Sequence, residues 1–266
     1  MHVNWQKTTL IVLDLALGGY LVAAFTAFNK PDETARVCTK TSINIQDEAT
    51  NGFINAQEIK ARLERSRLYP LAKPMRFVNA RGIEETLKES PFVKTAECYK
   101  TEDGHVNINI TQRMPIVRIK ADNGDDYYID DNNCVMPNSH YTSDLIIATG
   151  HISKWFAKNY ISYLSSALMA DDLWRNQIEQ INVLPDYGIE LVPRVGEHII
   201  YIGALPETKY KSERGKLVSD FVRKKMTRLE KFYKYGLSQA GWNLYSYINL
   251  EFDNQIICRR RSQPTE

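Results

Sequence analysis

The sequence predicts an α+β protein in three parts: a single transmembrane helix, a small module of order β-α-α-β-β, and a mostly antiparallel β-domain with two helices. Three observations predict this. The stretch 8–28 reads TTLIVLDLALGGYLVAAFTAF, with Asp14 its one charge. The helical apolar period of the middle segment then gives way to a period of two. From Met114 onward, apolar positions mostly alternate in short runs separated by turn residues. The corresponding segments are a short cytoplasmic head (1–7), the anchor (8–28), a linker (29–40), the small module (41–113), the β-domain (114–258) and a basic, polar tail (259–266).

The apolar stretch holds about 20 residues, which at about 1.5 Å each matches the hydrocarbon thickness of a bilayer. A secretory signal would carry about 7–15 apolar residues and end in small residues two apart. Here Phe25 and Phe28 spoil those frames. The expectation is an uncleaved signal-anchor in contact with membrane lipid, with the bulk of the chain outside the cytoplasm. Gly19, Ala23 and Ala27 recur every four residues and share one helix face, a pattern that lets a second membrane helix approach closely. Asp14 costs a few kcal/mol at membrane depth unless paired.

Lysine and arginine number 34 against 32 acids, a net charge of +2, so no global field draws the chain to nucleic acid. Cys38, Cys98, Cys134 and Cys258 form no CxxC pair, which argues against structural zinc. One disulfide, or four buried thiols acting as small hydrophobes, both fit.

In the small module, Thr41–Ile45 alternates as a strand through Ile43 and Ile45. Asn55 followed three residues later by Glu58 opens a helix with Ile59 and Leu63 on one face. A second helix over Ala80–Lys88 presents Ile83 and Leu87 and stops before Pro91. Val93–Lys100 and Val106–Gln112 pair around Asp103-Gly104. Two helices then cover one face of a three-stranded sheet, leaving a sheet edge and a groove beside a helix for docking.

In the larger part, Ile116–Lys120 and Tyr127–Asp130 flank a turn rich in acids. Asp122, Asp125, Asp126, Asp130 and Asp131 lack the spacing of a calcium loop and read as a solvated turn. A helix near Ser153–Ala170 buries Phe156, Tyr160, Leu164 and Leu168. Gln177–Leu184, Tyr187–Pro193 and His198–Ile202 form a meander broken at Pro185-Asp186 and at Gly196. A long helix near Gly215–Tyr235 turns Leu217, Phe221, Met226, Leu229 and Phe232 inward and a basic face of Arg223, Lys224, Lys225, Arg228, Lys231 and Lys234 outward to solvent.

The final strand, Tyr245–Cys258, is long and free of proline and glycine, and the Arg259-Arg260-Arg261 run closes it. A sheet edge and an ordinary core position both suit it.

No histidine spacing matches a metal motif, and GxSxG, P-loop and dinucleotide fingerprints do not occur. The reading is a protein that is not an enzyme, with no catalytic, cofactor or metal residues to name.

Three stretches resemble the FtsQ/DivIB family of bacterial cell-division proteins, which carry a POTRA module. They are Ile83-Glu84-Glu85-Thr86-Leu87 through Ser90-Pro91-Phe92-Val93-Lys94-Thr95-Ala96; Val106-Asn107-Ile108-Asn109-Ile110-Thr111-Gln112-Arg113-Met114-Pro115-Ile116-Val117, where Gln112 replaces the usual acid; and Tyr128-Ile129-Asp130 with Met136-Pro137 and the closing 247–255. The resemblance implies a single-pass inner-membrane protein at the division septum, with its amino terminus cytoplasmic and its bulk periplasmic. It implies a non-enzymatic scaffold that binds FtsB and FtsL and helps couple septal peptidoglycan synthesis to constriction. The POTRA module would recruit an upstream division protein. The partner segment would meet the final strand and the preceding helix, here Tyr245, Tyr247, Ile248, Asn249, Leu250, Glu251, Phe252, Asn254 and Ile256 with Leu229, Phe232 and Tyr235. An alternative is a POTRA-bearing chaperone or secretion adaptor for outer-membrane proteins.

Overall fold

The computed structural model describes residues 5–28, 36–46, 52–139 and 145–261. Of the expected head (1–7), linker (29–40) and tail (259–266), residues 1–4, 29–35 and 262–266 lie outside the described residues.

Helix α1 (Trp5–Phe28) forms where the apolar stretch stands. The transmembrane expectation is nevertheless corrected: among the described residues, no helix is long and apolar enough to cross a membrane. Asp14 splits the apolar stretch into runs at 10–13 and 15–17, and Gly18, Gly19 and Tyr20 follow. An unpaired carboxylate at that depth costs a few kcal/mol, and the glycines and tyrosine lower the apolar content of the middle of the helix. Gly19 and Ala23 lie on this helix, and a Cβ at Gly19 would meet nothing within 4 Å. The side chain of Ala27 lies outside the described residues.

The rest divides into two compact units. One holds the residues up to 46 with 55–89 and 95–110; the other holds everything from residue 111 on, with 52–54 and 90–94. In the first, β1 (Lys40–Gln46), α2 (Ala56–Arg65), α3 (Ala80–Lys88), β2 (Val93–Lys100) and β3 (His105–Gln112) follow the expected order. The sheet runs β1-β3-β2. Both helices start where an asparagine satisfies a free amide: Asn55 accepts from the Glu58 N–H at 2.8 Å, and Asn79 from that of Gly82 at 2.9 Å. Ile59, Leu63, Ile83 and Leu87 are buried, as are Val106, Ile108 and Ile110 on alternate positions of β3. Between β2 and β3, Gly104 turns the chain at φ +77°.

In the second unit β4 (Pro115–Ala121), β5 (Asp126–Asp130), β6 (Val135–Pro137), β7 (Ile146–Gly150), β8 (Ile178–Val183), β9 (Gly188–Pro193), β10 (Ile199–Ala204), β11 (Tyr245–Asn249) and β12 (Ile257–Arg260) make one nine-stranded sheet. Its order is β12-β11-β10-β9-β8-β7-β4-β5-β6. Neighbours pair antiparallel except β4/β7, β7/β8 and β10/β11. Parallel pairing needs a crossover, and helices supply two of them. Between β7 and β8 run α4 (154–169, with a π-helical turn at Ala157–Ile161) and α5 (Asp172–Gln177). Between β10 and β11 runs α6 (Lys211–Phe232), which continues through a π-helical turn at Tyr233–Leu237. Three helices thus serve this unit where the sequence led us to expect two. The added one, α5, starts at Asp171, whose carboxylate accepts from the Leu173 and Trp174 amides.

The inward face of α6 also differs from expectation. Val218, Val222, Lys225, Met226 and Leu229 are buried, while Leu217 is 38% exposed. Apolar residues stand side by side at 217–218 and 221–222, so periodicity alone admits two faces, and packing against α4 selects the second. The core joins these residues to Ile161, Leu164 and Leu168 of α4 and to the sheet's inner face.

The acid-rich turn resolves into separate ion pairs. Arg118 holds Asp126 through two hydrogen bonds at 2.9 and 2.8 Å, Lys94 holds Asp131 at 2.8 Å, and Arg113 holds the fully buried Asp130 at 2.8 Å. All four cysteines are free thiols, and burial, with Glu84 nearby, pushes Cys98 up to about 11.

Candidate partner-binding edge

The segment expected as one long strand folds into two. β11 ends at Asn249, the chain turns through 250–256, and β12 returns antiparallel, pairing Ile248 with Cys258 and Asn249 with Ile257. On its other flank β11 runs parallel to β10, with Tyr247 beside Ile199 and Asn249 beside Tyr201. β11 is therefore enclosed on both sides by its own chain, and the open edge passes to β12. The sheet's opposite edge is the three-residue β6, which ends in Pro137 and is blunted by that ring.

What holds the turn is the basic face of α6, which was expected to be merely solvated. Lys225, 2% exposed, donates to the carbonyl oxygens of Leu250 at 2.8 Å and Glu251 at 2.6 Å. Arg228 donates to the Gln255 carbonyl at 2.7 Å, and Lys224 to Asp253 at 2.8 Å. Backbone carbonyls that a broken ladder leaves without amides thus find charged donors. Burial lowers the Lys225 ammonium from its ordinary range, and the Lys224 ammonium holds the Asp253 carboxyl below the usual carboxylate range.

Beside this turn lies a groove of about 520 Å³, walled by Arg228, Phe232, Tyr235, Asp253, Asn254 and Ile256. Tyr235 is 64% exposed and stands in the π-helical turn of α6, where an extra residue per turn re-aims the side chains. Phe232 packs its ring 6.2 Å from that of Tyr245. Tyr247 donates to Glu190 at 3.2 Å, and burial pushes its phenol up to about 12.

The structure therefore distributes the expected contact residues among three environments. Ile248, Leu250 and Leu229 are wholly buried in the core. Tyr245, Tyr247, Asn249, Phe232 and Ile256 are half-buried, while Glu251, Phe252, Asn254 and Tyr235 are exposed. Sequence reasoning missed Lys225 and Arg228 as clamps and Ile257, Arg259 and Arg260 as the edge. Asp253-Asn254, a turn-forming pair inside the apparent strand, was the available signal.

Upstream, Gln112 is 2% exposed and accepts from the Ile54 N–H at 3.2 Å, and Arg113 donates to the Val93 carbonyl at 3.2 Å as well as to Asp130. Asp130 also accepts from the Cys134 and Asn132 amides, at 2.6 and 3.0 Å. Two of the stretches that carried the resemblance, around 113 and 128–130, thus meet through the Arg113–Asp130 pair.

Among the described residues, no group of three or more His, Cys, Asp or Glu side chains is placed to hold a metal ion. Residues 36–111 match the family model of a POTRA-like domain, and residues 114–259 match that of FtsQ/DivIB, C-terminal related. No curated protein matches the chain. The second match alone covers more than half of the sequence, and it meets the first across a two-residue gap in the order that the fold displays. The chain belongs to the FtsQ/DivIB family, with a POTRA module ahead of its β-domain.

Proposed function

We propose that this protein is a non-enzymatic scaffold of bacterial cell division that receives its partner by strand addition at β12. The observation that carries this reading is the pairing of β12 on one side only, beside a groove whose walls include Tyr235, Phe232 and Ile256. A partner strand laid along β12 would satisfy its outward amides and carbonyls, and alternate side chains of that strand would reach the groove. Arg259 and Arg260 are exposed along the same edge, which favours an acidic partner segment and speeds its encounter. The family supplies the candidates: FtsB and FtsL, bound outside the cytoplasm at the septum, so that assembly is coupled to septal peptidoglycan synthesis. In the POTRA module, β1 and β2 are the outer strands of their sheet and offer a second surface for an upstream division protein.

Ile257→Asp and Tyr235→Ala, made in the full chain, test the reading. Ile257 is 48% exposed, so both variants keep the fold. Co-purification with FtsB from dividing cells drops at least about tenfold, the size expected when a desolvated interface anchor is lost. Wild-type recovery of FtsB by both variants sinks the proposal.

A further inference from the structure

A second cavity, of about 280 Å³, lies where the start of α4, the β8–β9 turn and the segment after β10 meet. Its floor is Phe156 and Tyr160, 7% and 4% exposed, with ring centroids stacked 5.2 Å apart. Two further rings rise from that floor: Tyr187 at 4.9 Å from Phe156, and Trp155 at 5.6 Å from Tyr160. These outer rings are 41% and 59% exposed, unusual for side chains whose area would otherwise be buried. Tyr187 also sits at φ +63°, a backbone region that a bulky residue occupies only when its surroundings impose it. The turn is fixed by its own bonds: Gly188 N–H donates to the Asp186 carboxylate at 3.0 Å, and Tyr187 N–H to the Leu184 carbonyl at 2.9 Å.

Asp186 and Glu207 are the charged side chains of the lining, and one cation, Arg214, stands against two of its rings. Aromatic faces are negative at their centres, so rings and carboxylates together make a site complementary to a positive group. The chain already uses two of these rings in this way. The Arg214 guanidinium lies 5.4 Å from the Trp155 centroid and 5.1 Å from that of Tyr160.

We propose that this aromatic-walled, acidic pocket binds an organic cation, namely a lysine or arginine side chain presented by a basic segment of a partner protein. The pocket uses none of the residues of the β12 edge, so it stands or falls separately from strand addition there. Trp155 and Tyr187 flank the aliphatic stem and cationic head, and Asp186 and Glu207 neutralise the charge.

The test uses the full chain and a blocked Gly-Lys-Lys-Lys-Gly peptide, with its fully acetylated copy as the neutral probe, followed by calorimetry. The lysine peptide binds and the acetylated one does not. Trp155→Ala, Tyr187→Gly and Glu207→Gln each weaken binding about 2–5-fold, as expected of a partly exposed cation–π or charge contact. Tyr187→Gly is the variant that guards against misfolding, because glycine takes the positive φ freely and so offsets the lost ring packing, keeping the unfolding midpoint close to that of the parent. Equal binding of the acetylated peptide, displacement of the lysine peptide by a neutral oligosaccharide, or parental affinity in all three variants overturns the proposal.

Discussion

Lys225 donates from its buried ammonium to the carbonyl of Leu250 at 2.8 Å, tying the middle of α6 to the point where β11 stops. A sheet edge needs its last hairpin held in register, and here a helix holds it.

Replacing Lys225 with methionine keeps the stem and removes the donors. The carbonyls of Leu250 and Glu251 then lose their charged partner, at a cost of about 1–3 kcal/mol after the relief of the buried charge. Urea unfolding reads the loss, and hydrogen exchange at 250–257 reads the loosening. Unchanged protection across that segment rules out the clamp.

Asn249 pairs with both Tyr201 and Ile257. Proline there breaks an interior strand and destabilises the whole β-domain by about 2–3 kcal/mol. Ile257→Asp, on the open strand, shifts the urea midpoint little. If Asn249→Pro leaves the midpoint alone, β11 is not the interior strand described above.

Asp130 is wholly buried beside Arg113, whereas the Lys94–Asp131 pair is about two-fifths exposed. Asp130→Ala leaves Arg113 with the Val93 carbonyl but no counter-ion, strips two amides of their acceptor, and costs about 3 kcal/mol. Lys94→Met costs under about 1 kcal/mol. Chemical denaturation of the two variants side by side gives the contrast, and equal losses would refute it.

His198 is 1% exposed, bonded at 2.6 Å to the Tyr233 hydroxyl, and its pKa is lowered by burial and then by the charge of Arg261. The folded protein thus keeps this ring neutral below pH 6.5 while the unfolded chain takes up a proton. Unfolding free energy is full above that pH and falls as the medium is acidified, by at most about 1.4 kcal/mol per pH unit from this one group. His198→Asn flattens the decline between pH 6.5 and 5. A parental slope in the variant assigns the decline to other groups.

Much of this architecture was legible in the residues, and for physical reasons. The caps Asn55 and Asn79 and the alternation of β3 act locally, so the order of the first unit follows from short windows. The site was harder to read. Tyr245 to Cys258 carries strong strand formers throughout, and that propensity masked Asp253-Asn254. Lys225 and Arg228 look like any solvent-facing bases until their acceptors are known, and those acceptors are carbonyls more than twenty residues downstream. On α6 the expected inward residues Met226 and Leu229 are buried, but Leu217 gives way to Val218 because the two are equally apolar. The transmembrane reading gave a continuous apolar stretch more weight than Asp14 and the Gly18-Gly19 pair allow.

The parallel union of β10 with β11 means that the terminal hairpin, although β11 and β12 meet through a local turn, cannot join the sheet by local closure. It must wait for α6 to settle on the sheet and carry the chain back across. A copy whose helical layer is unfinished therefore has no β12 edge standing at the end of a completed sheet.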